Sequence, residues 1–249
     1  MSTPLLPGSL YLFPVPLGES ASSDVLPSLN IEWMNNINFY IAENARTARR
    51  VFSSSGVKDI REKEILEFND HTDKKDVIKQ FLAYVKTGKN AGLMSEAGCP
   101  AVADPGSEIV AAAHEHNIRV IPLIGPSSIL LALMGSGMNG QSFVFHGYLP
   151  VDKNERVKRI HQLEQNSVKF NQTQIFIETP YRNDKMLADL LATLDPFTKL
   201  CIAADLTLNS QYIRTYTVGD WKKRKPEIGK RPAVYLFVAS KMTTTTFFV

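Results

Sequence analysis

Two loops rich in glycine, proline and small residues are the strongest chemical signal in this chain. They lie within residues 91–128, which read AGLMSEAGCPAVADPGSEIVAAAHEHNIRVIPLIGPSS, and each follows a short apolar run. Loops at the carboxyl ends of parallel strands are where α/β proteins bind ligands, and small residues let backbone groups approach a ligand closely. The pattern predicts a small-molecule site, while an ordinary strand-to-helix turn would use the same residue types.

Loop motifs and cysteine spacing exclude several kinds of site. Neither GxGxxG nor GxxxxGK(S/T) occurs, so the two commonest phosphate-binding loops are absent from the sequence. Cys99 and Cys201 lie far apart and form no CxxC motif, which predicts neither a disulfide framework nor a metal site. Free thiols are typical of a reducing compartment, and the amino terminus lacks the basic segment that opens a signal peptide. We therefore expect a cytoplasmic protein without a bound metal.

Length and composition are those of a globular protein with one large domain or two smaller ones. The 249 residues are 44% hydrophobic, which is enough to fill real cores. The formal net charge of +3 is too small to establish a polyanionic partner, so local clustering of charge must decide that question. The apolar stretch 120–137 is interrupted by Pro122, Gly125 and Pro126, which argues against a membrane span.

Short apolar runs alternate with helical patterns along the chain, which predicts two α/β domains. The predicted strands cover residues 9–14, 39–42, 91–95, 119–123, 143–145, 174–178, 200–204, 215–218 and 233–239. The predicted helices cover residues 47–53, 74–86, 154–165 and 183–194, with a further helix between the two loops. We place the domains at residues 1–124 and 125–249. The second has more strands per helix, so we expect its sheet to be mixed.

Six motifs occur in a fixed order between residues 9 and 239: YLFPVPLGE, IAENARTAR, SEAGCPAVADPG, RVIPLIGPSS, FHGYLP and FIETPYR. In these motifs the chain resembles the tetrapyrrole-methylase superfamily, and within it the branch of ribosomal small subunit methyltransferase I. The resemblance implies two α/β domains with S-adenosylmethionine in the cleft between them, and a homodimer. It also implies methylation of a cytidine 2′-hydroxyl in 16S rRNA.

The resemblance further implies which residues bind the cofactor, largely through backbone groups. In the first half these are Pro16, Leu17, Cys99, Ala101, Val102, Ala103, Ser127 and Ser128, and in the second half Ile177, Glu178 and Ala233. Adenine and ribose are suited to apolar walls with a few directed backbone donors and acceptors. A ribose hydroxyl is a poor nucleophile, so a base or an orienting group is also expected near the methyl group.

Glu43 and Arg46 are the candidates for catalysis and substrate orientation, because they follow a buried strand at a position where the family has functional residues. The alternative is a helix-capping carboxylate and a surface arginine. His71 and His146 are weaker candidates. A histidine in the position of His71 more often caps the following helix.

The substrate side of this chain departs from the rRNA-methylating branch. Where that branch reads AEDTR the chain has AENAR at residues 42–46, and where it reads RELTK the chain has ADLTL at residues 204–208. His146 replaces a glutamate, Tyr181 replaces a histidine, and the sequence lacks the carboxyl-terminal extension of that branch. A tetrapyrrole C-methyltransferase and a cofactor-binding homologue without catalysis therefore stay open as alternatives.

Two basic segments are candidates for binding RNA phosphates. They consist of Lys222, Lys223, Arg224, Lys225, Lys230 and Arg231, and of Lys153, Arg156, Lys158 and Arg159. Each phosphate contact would add a salt-dependent increment to affinity, whereas a solvated loop and helix face would have the same composition. No aromatic residues are interleaved within these runs, so stacking on bases has no local support.

Overall fold

A five-stranded sheet organises each half of the chain. The chain divides into two units, Met1–Ser127 and Ser128–Val249, which we call the first and second domains. The computed structural model describes residues 7–239. Residues 1–6, part of the amino terminus used above to argue against a signal peptide, lie outside that range. Both described units combine helices with a sheet, which confirms the expected α/β class.

The first domain alternates strands and helices around a parallel sheet. Its elements are β1 (Leu10–Phe13), α1 (Ser22–Val25), α2 (Ser28–Asn36), β2 (Phe39–Ala42), α3 (Ala45–Ser54), a 3-10 helix (Ile60–Glu62), β3 (Glu64–Glu67), α4 (Lys74–Val85), β4 (Ala91–Met94), α5 (Ser107–Glu115) and β5 (Val120–Pro122). The strand order is β3-β2-β4-β1-β5, and each pair is parallel. All five carboxyl ends therefore lie at one edge of the sheet.

Helices cover both faces of this sheet. Tyr40 packs in one core cluster with Phe52 of α3, while Ile41 packs in the other with Phe81 of α4 and Ile109 of α5. Neighbouring strand residues point to opposite faces, so strands buried on both sides read as continuous apolar runs. In a parallel sheet with helices on both faces, ligands bind in the crevice at the carboxyl ends of the strands.

Two of the first-domain elements that the sequence prediction lacks are strand β3 and helix α2. β3 is an edge strand with a glutamate at each end, and it has no fully buried residue, so it lacks the apolar run that marks its neighbours. Helix α2 buries only Asn30 and Met34 and therefore shows no continuous apolar stripe. Weak amphipathicity accounts for both omissions.

The second domain has more strands and a different sheet. Its elements are α6 (Ser128–Ser136), β6 (Phe143–Tyr148), α7 (Lys153–Phe170), β7 (Thr173–Glu178), a 3-10 helix (Pro180–Arg182), α8 (Asn183–Thr193), β8 (Lys199–Ala204), β9 (Tyr212–Thr217), α9 (Val218–Arg224) and β10 (Ala233–Val238). The strand order is β6-β7-β10-β8-β9. Only β6 and β7 pair in parallel, so the sheet is mixed.

The predicted strand at 215–218 is wrong at both ends. The strand begins at Tyr212, and Val218 is the first residue of α9. The Thr217 hydroxyl accepts a hydrogen bond from the backbone N–H of Asp220 at 3.2 Å, which caps the helix and ends the strand. Trp221 of α9 is buried and donates from Nε1 to the Leu200 carbonyl at 2.8 Å, which holds the helix against the sheet.

The apolar stretch 120–137 is divided among β5, a loop and α6. Within residues 7–239, no helix combines the length and apolar character needed to cross a membrane. Pro126 lies in the loop between the two elements, where its missing N–H breaks no helical hydrogen bond.

Candidate functional site

Three loops meet at the carboxyl edge of the first sheet. Val15, just after β1, pairs with Gly98 after β4 through two backbone hydrogen bonds of 2.9 and 3.1 Å. The Cys99 thiol donates to the Pro126 carbonyl at 3.5 Å. Burial raises the pKa of this thiol and so favours its neutral form. The structure thus brings together the first-domain candidates, which are Pro16, Leu17, Cys99, Ala101, Val102, Ala103 and Ser127.

The backbone of the loop after β4 is strained. Ala101 and Ala103 have φ angles of +65° and +57°, a region that costs an L-residue roughly 1–2 kcal/mol. Val102 between them is 48% exposed. Such strain persists only where the surrounding structure imposes it, and it is concentrated at ligand-binding segments. An ordinary turn would use glycine here, so this loop is a better candidate for a ligand site than for a simple connection.

The second-domain candidates form a separate set. Ala233 pairs with Glu178 across β10 and β7, beside the half-buried Ile177, and Ser128 is the first residue of α6. The buried Glu178 carboxylate accepts hydrogen bonds from Arg182 Nε at 2.7 Å and from the Thr179 backbone N–H at 2.6 Å. These donors engage the Glu178 carboxylate within the domain.

Glu43 lies directly after β2, half-buried within a group of carboxylates. Burial has the largest effect on the pKa of Glu43 and raises it, and the negative charges of Asp104, Glu96 and Asp70 raise it further. Burial also raises the pKa of Asp104, although hydrogen bonds from backbone N–H groups partly lower it. A carboxylate with a raised pKa accepts a proton more readily near neutral pH, so Glu43 is suited to act as a general base.

Helix capping does not account for Glu43. The cap of α3 is Asn44, whose Oδ1 accepts from the backbone N–H groups of Arg46 and Thr47 at 2.9 and 3.2 Å. Arg46 itself lies exposed in the first turn of the helix. The expectation that His71 caps α4 is wrong, because Asp73 does so and His71 is exposed.

Sequence reasoning did not single out Asp104 and Glu96. Asp104 accepts from the Gly106 backbone N–H at 3.2 Å, and Glu96 accepts from the Thr47 hydroxyl at 3.2 Å. Both lie in the motif SEAGCPAVADPG. The sequence signal for Asp104 was an acidic residue directly before a Pro-Gly pair. The described part of the chain contains no group of three or more residues placed to hold a metal ion.

His146 is fixed in place by its neighbours. Its Nε2 lies 2.8 Å from Gln174 Oε1, and its Nδ1 lies 3.4 Å from Arg159 Nη2. Burial has the largest effect on the pKa of His146 and lowers it. The hydrogen bond to Gln174 raises this pKa, and the charge of Arg159 lowers it. This network suits a neutral imidazole that donates from Nε2 and accepts at Nδ1. His146 thus ranks below Glu43 as a catalytic candidate.

Arg156 is not an RNA-binding residue, and the prediction that it contacts phosphate is wrong. Its side chain is buried, and its Nε donates to Asp189 Oδ2 at 2.8 Å. Its Nη1 donates to the carbonyls of Pro150 and Val151 at 3.1 and 2.7 Å. These hydrogen bonds hold the guanidinium against groups of its own domain. Lys153 and Lys158 are exposed on the same helix.

Comparison with known proteins agrees with this fold. The family model for tetrapyrrole (corrin/porphyrin) methylases matches residues 32–221. The chain belongs to this family. Tetrapyrrole methylases are S-adenosylmethionine-dependent methyltransferases, so both the enzyme class and the cofactor expected from the sequence are confirmed.

Two relatives of this tetrapyrrole methylase are named ribosomal RNA small subunit methyltransferase I. The one from Mesorhizobium japonicum is 30% identical over 215 residues, covering 86% of this chain and 69% of the relative. The one from Synechocystis sp. is 32% identical over 200 residues, covering 80% and 67%. The crystal structure of uroporphyrin III C-methyltransferase from Thermus thermophilus matches with a TM-score of 0.56 at 14% identity, covering 93% of this chain and 97% of its own. At that identity the likeness shows the fold alone.

Proposed function

We propose that this methyltransferase transfers a methyl group from S-adenosylmethionine to a ribose 2′-hydroxyl of small-subunit rRNA. The observation that carries the proposal is the half-buried Glu43, with its raised pKa, at the same sheet edge as the strained loop of Ala101 and Ala103. A hydroxyl nucleophile needs a base of this kind. The rRNA substrate is supported by the names of the two relatives.

The cofactor is proposed to bind through the residues that the family resemblance implies. Ala101 is half-exposed and Val102 and Ala103 are exposed, in the loop where Gly98 lies beside the apolar Leu17, and such a surface is suited to a nucleoside. When bound, S-adenosylmethionine supplies the methyl group on a positively charged sulfonium. The remaining proposed contacts are Pro16, Cys99, Ser127, Ser128, Ile177, Glu178 and Ala233.

Glu43 is proposed to accept the proton of the ribose hydroxyl, and Arg46 to orient the substrate. Methylation of an oxygen releases that proton, and a carboxylate in a partly desolvated group is able to take it. Much of the remaining rate comes from holding the hydroxyl in line with the methyl carbon. Arg46 is exposed in the next turn after Glu43, where a guanidinium can pair with a phosphate.

The protein is proposed to be a cytoplasmic homodimer, as the family resemblance implies. Helix α6 supports self-association because it exposes Leu130 and Met134, which are 52% and 79% accessible. Sedimentation at tens of micromolar should give about twice the chain mass of 27.8 kDa. A strictly monomeric species would contradict the dimer.

Methyl transfer from radiolabelled S-adenosylmethionine to 30S subunits tests the function directly. The subunits come from a strain lacking this protein, and nucleoside mass spectrometry identifies the product. We expect a 2′-O-methylated cytidine. Methylation of a uroporphyrinogen but of no RNA would favour the tetrapyrrole alternative. Binding of S-adenosylmethionine with transfer to neither substrate would favour a homologue without catalysis.

Gly98→Ala should weaken binding of S-adenosylmethionine about tenfold, which is about 1.4 kcal/mol. Gly98 has a φ of +75°, and a Cβ there would lie 3.2 Å from Leu17 Cδ2, so the side chain would strain and displace the loop. Gly56→Ala is the matched control, since Gly56 has a φ of +70° and open space around it. Both variants should lose similar thermal stability, while calorimetry should detect weaker binding in Gly98→Ala alone. Unchanged affinity in Gly98→Ala would remove this loop from the cofactor site.

A further inference from the structure

Arginine and tyrosine side chains alternate along the outer strand of the second sheet. β9 is an edge strand, and Tyr212, Arg214 and Tyr216 share one of its faces because residues two apart point the same way. The opposite face is covered, since the Thr215 hydroxyl donates to the Ser136 carbonyl of α6 at 2.8 Å. The tyrosine-bearing face therefore is the one that lies toward α9.

Cationic side chains from three segments lie over these rings. The guanidinium carbon of Arg224, the last residue of α9, lies 4.1 Å from the centre of the Tyr216 ring. Those of Arg231 and Arg214 lie 5.5 and 5.8 Å from the Tyr212 ring. A guanidinium that lies over an aromatic face keeps N–H donors at its edges, where they can donate to the oxygens of an anion such as phosphate.

Charge on this surface is strongly positive. Its basic residues are Arg214, Lys222, Lys223, Arg224, Lys225, Lys230 and Arg231, and its acidic residues are Asp205, Asp220 and Glu227. Two of these acids are already paired, Asp205 with Arg231 at 3.8 Å and Asp220 with Lys223 at 3.4 Å. Arg214 and Arg224 are exposed and are placed to meet an anionic partner.

One further ring offers a stacking surface. Tyr181, in the 3-10 helix after β7, is 79% exposed, and Lys230 Nζ lies 5.2 Å from its ring centre. Tyr212 and Tyr216 differ from it because both are half-buried against the core and have arginine guanidinium groups over their rings. Tyr181 therefore has a ring surface available for an unpaired base, whereas the other two orient arginines.

This surface adjoins the second-domain cofactor candidates. Across the sheet, Glu178 pairs with Ala233, Ala233 with Ala204, and Ala204 with Tyr212. Glu178 and Tyr212 thus lie in one row at the same end of the sheet. A strand of RNA held on this surface would pass beside that row.

We propose that Arg214 and Arg224, oriented by Tyr212 and Tyr216, bind the phosphates of the RNA substrate while Tyr181 stacks on one unpaired base. This inference rests on the proposed function for the identity of the substrate. Phosphate contacts position RNA without reading its sequence, and one stacked base favours a single-stranded or looped segment over a continuous duplex.

The test compares two double variants with equal loss of charge. Arg214→Gln with Arg224→Gln removes two cations that lie over tyrosine rings, and Lys75→Gln with Lys79→Gln removes two exposed lysines of α4. Fluorescence anisotropy with a short fluorescein-labelled single-stranded RNA, over a series of salt concentrations, gives affinity and salt slope. We expect at least a tenfold loss for the arginine variant and a salt slope smaller by about 1.4, since each contact to a single strand contributes about 0.7. The lysine variant should bind as wild type does.

Tyr181 has its own comparison. Tyr181→Leu should weaken RNA binding at least fivefold, and Tyr181→Phe should retain it because the ring surface is kept. Equal loss of affinity in the arginine and lysine variants would mean that binding is diffuse and would overturn the proposal, as would wild-type affinity in the arginine variant. Methylation of 30S subunits by the wild type is measured separately. If the wild type binds RNA through this surface but methylates none, the proposed function fails and the surface stands.

Discussion

Glu43→Gln should lower kcat for methyl transfer to 30S subunits by about 10²–10⁴-fold, the usual contribution of a general base. The glutamine side chain has nearly the same shape as glutamate but cannot accept the hydroxyl proton. Affinities for S-adenosylmethionine and RNA should be retained, because neither depends on proton transfer. Single-turnover kinetics with calorimetry separates the chemical step from binding. Wild-type turnover in this variant would end the catalytic candidacy of Glu43.

The pH dependence follows from the raised pKa of Glu43. A base works in its ionised form, so the rate should fall as pH drops through a pKa that lies above the ordinary value of 4.5. Glu96→Gln removes one of the charges that raise this pKa, so it should move the acid limb to lower pH and leave the plateau kcat unchanged. Opposite movement of that limb would contradict the assignment.

Stability should not account for the lost turnover. The folded state raises the pKa of Glu43, so ionised Glu43 opposes folding above that pKa, and the opposition disappears as pH falls. Glu43→Gln removes this charge and should melt at the same temperature as the wild type or higher at neutral pH. A clear drop in melting temperature would indicate a structural role for the carboxylate.

Arg156→Met should destabilise the second domain by about 3–5 kcal/mol, the usual cost of breaking a buried ion pair. The change leaves the Asp189 carboxylate buried without its guanidinium, and leaves two carbonyl groups without their donor. Urea unfolding is monitored by tryptophan fluorescence in a Trp33→Phe background, where the buried Trp221 reports the second domain.

Lys158→Met is the control for that measurement. Lys158 is exposed on the same helix, so its replacement should change the free energy of unfolding by less than about 0.5 kcal/mol. Adding Asp189→Leu to Arg156→Met removes the orphaned carboxylate and should recover part of the loss. If Arg156→Met unfolds like the wild type, the ion pair with Asp189 contributes little to the free energy of unfolding. Arg156 would then again be a candidate for contact with phosphate.

The tetrapyrrole methylase family, the α/β class and several element bounds follow from the sequence by itself. The strand Phe39–Ala42 agrees at both ends, and the helix Lys74–Val85 differs from prediction by a single residue. Apolar runs, helical spacing and turn residues are properties of neighbouring positions, so they can be read locally. The ordered motifs also identify the family, and the family resemblance in turn implies S-adenosylmethionine as the cofactor.

Only the tertiary structure decided which distant charges and rings meet. Arg156 and Arg159 lie in one basic run, yet one is buried against Asp189 and the other contacts His146. The segment 222–231 contains no tyrosine, but strand pairing and the packing of α9 place Tyr216 beneath Arg224. Glu43 and Asp104 influence one another although they follow different strands. Such pairs form because strand order and helix packing bring together residues that are far apart along the chain, and local patterns carry no information about that order.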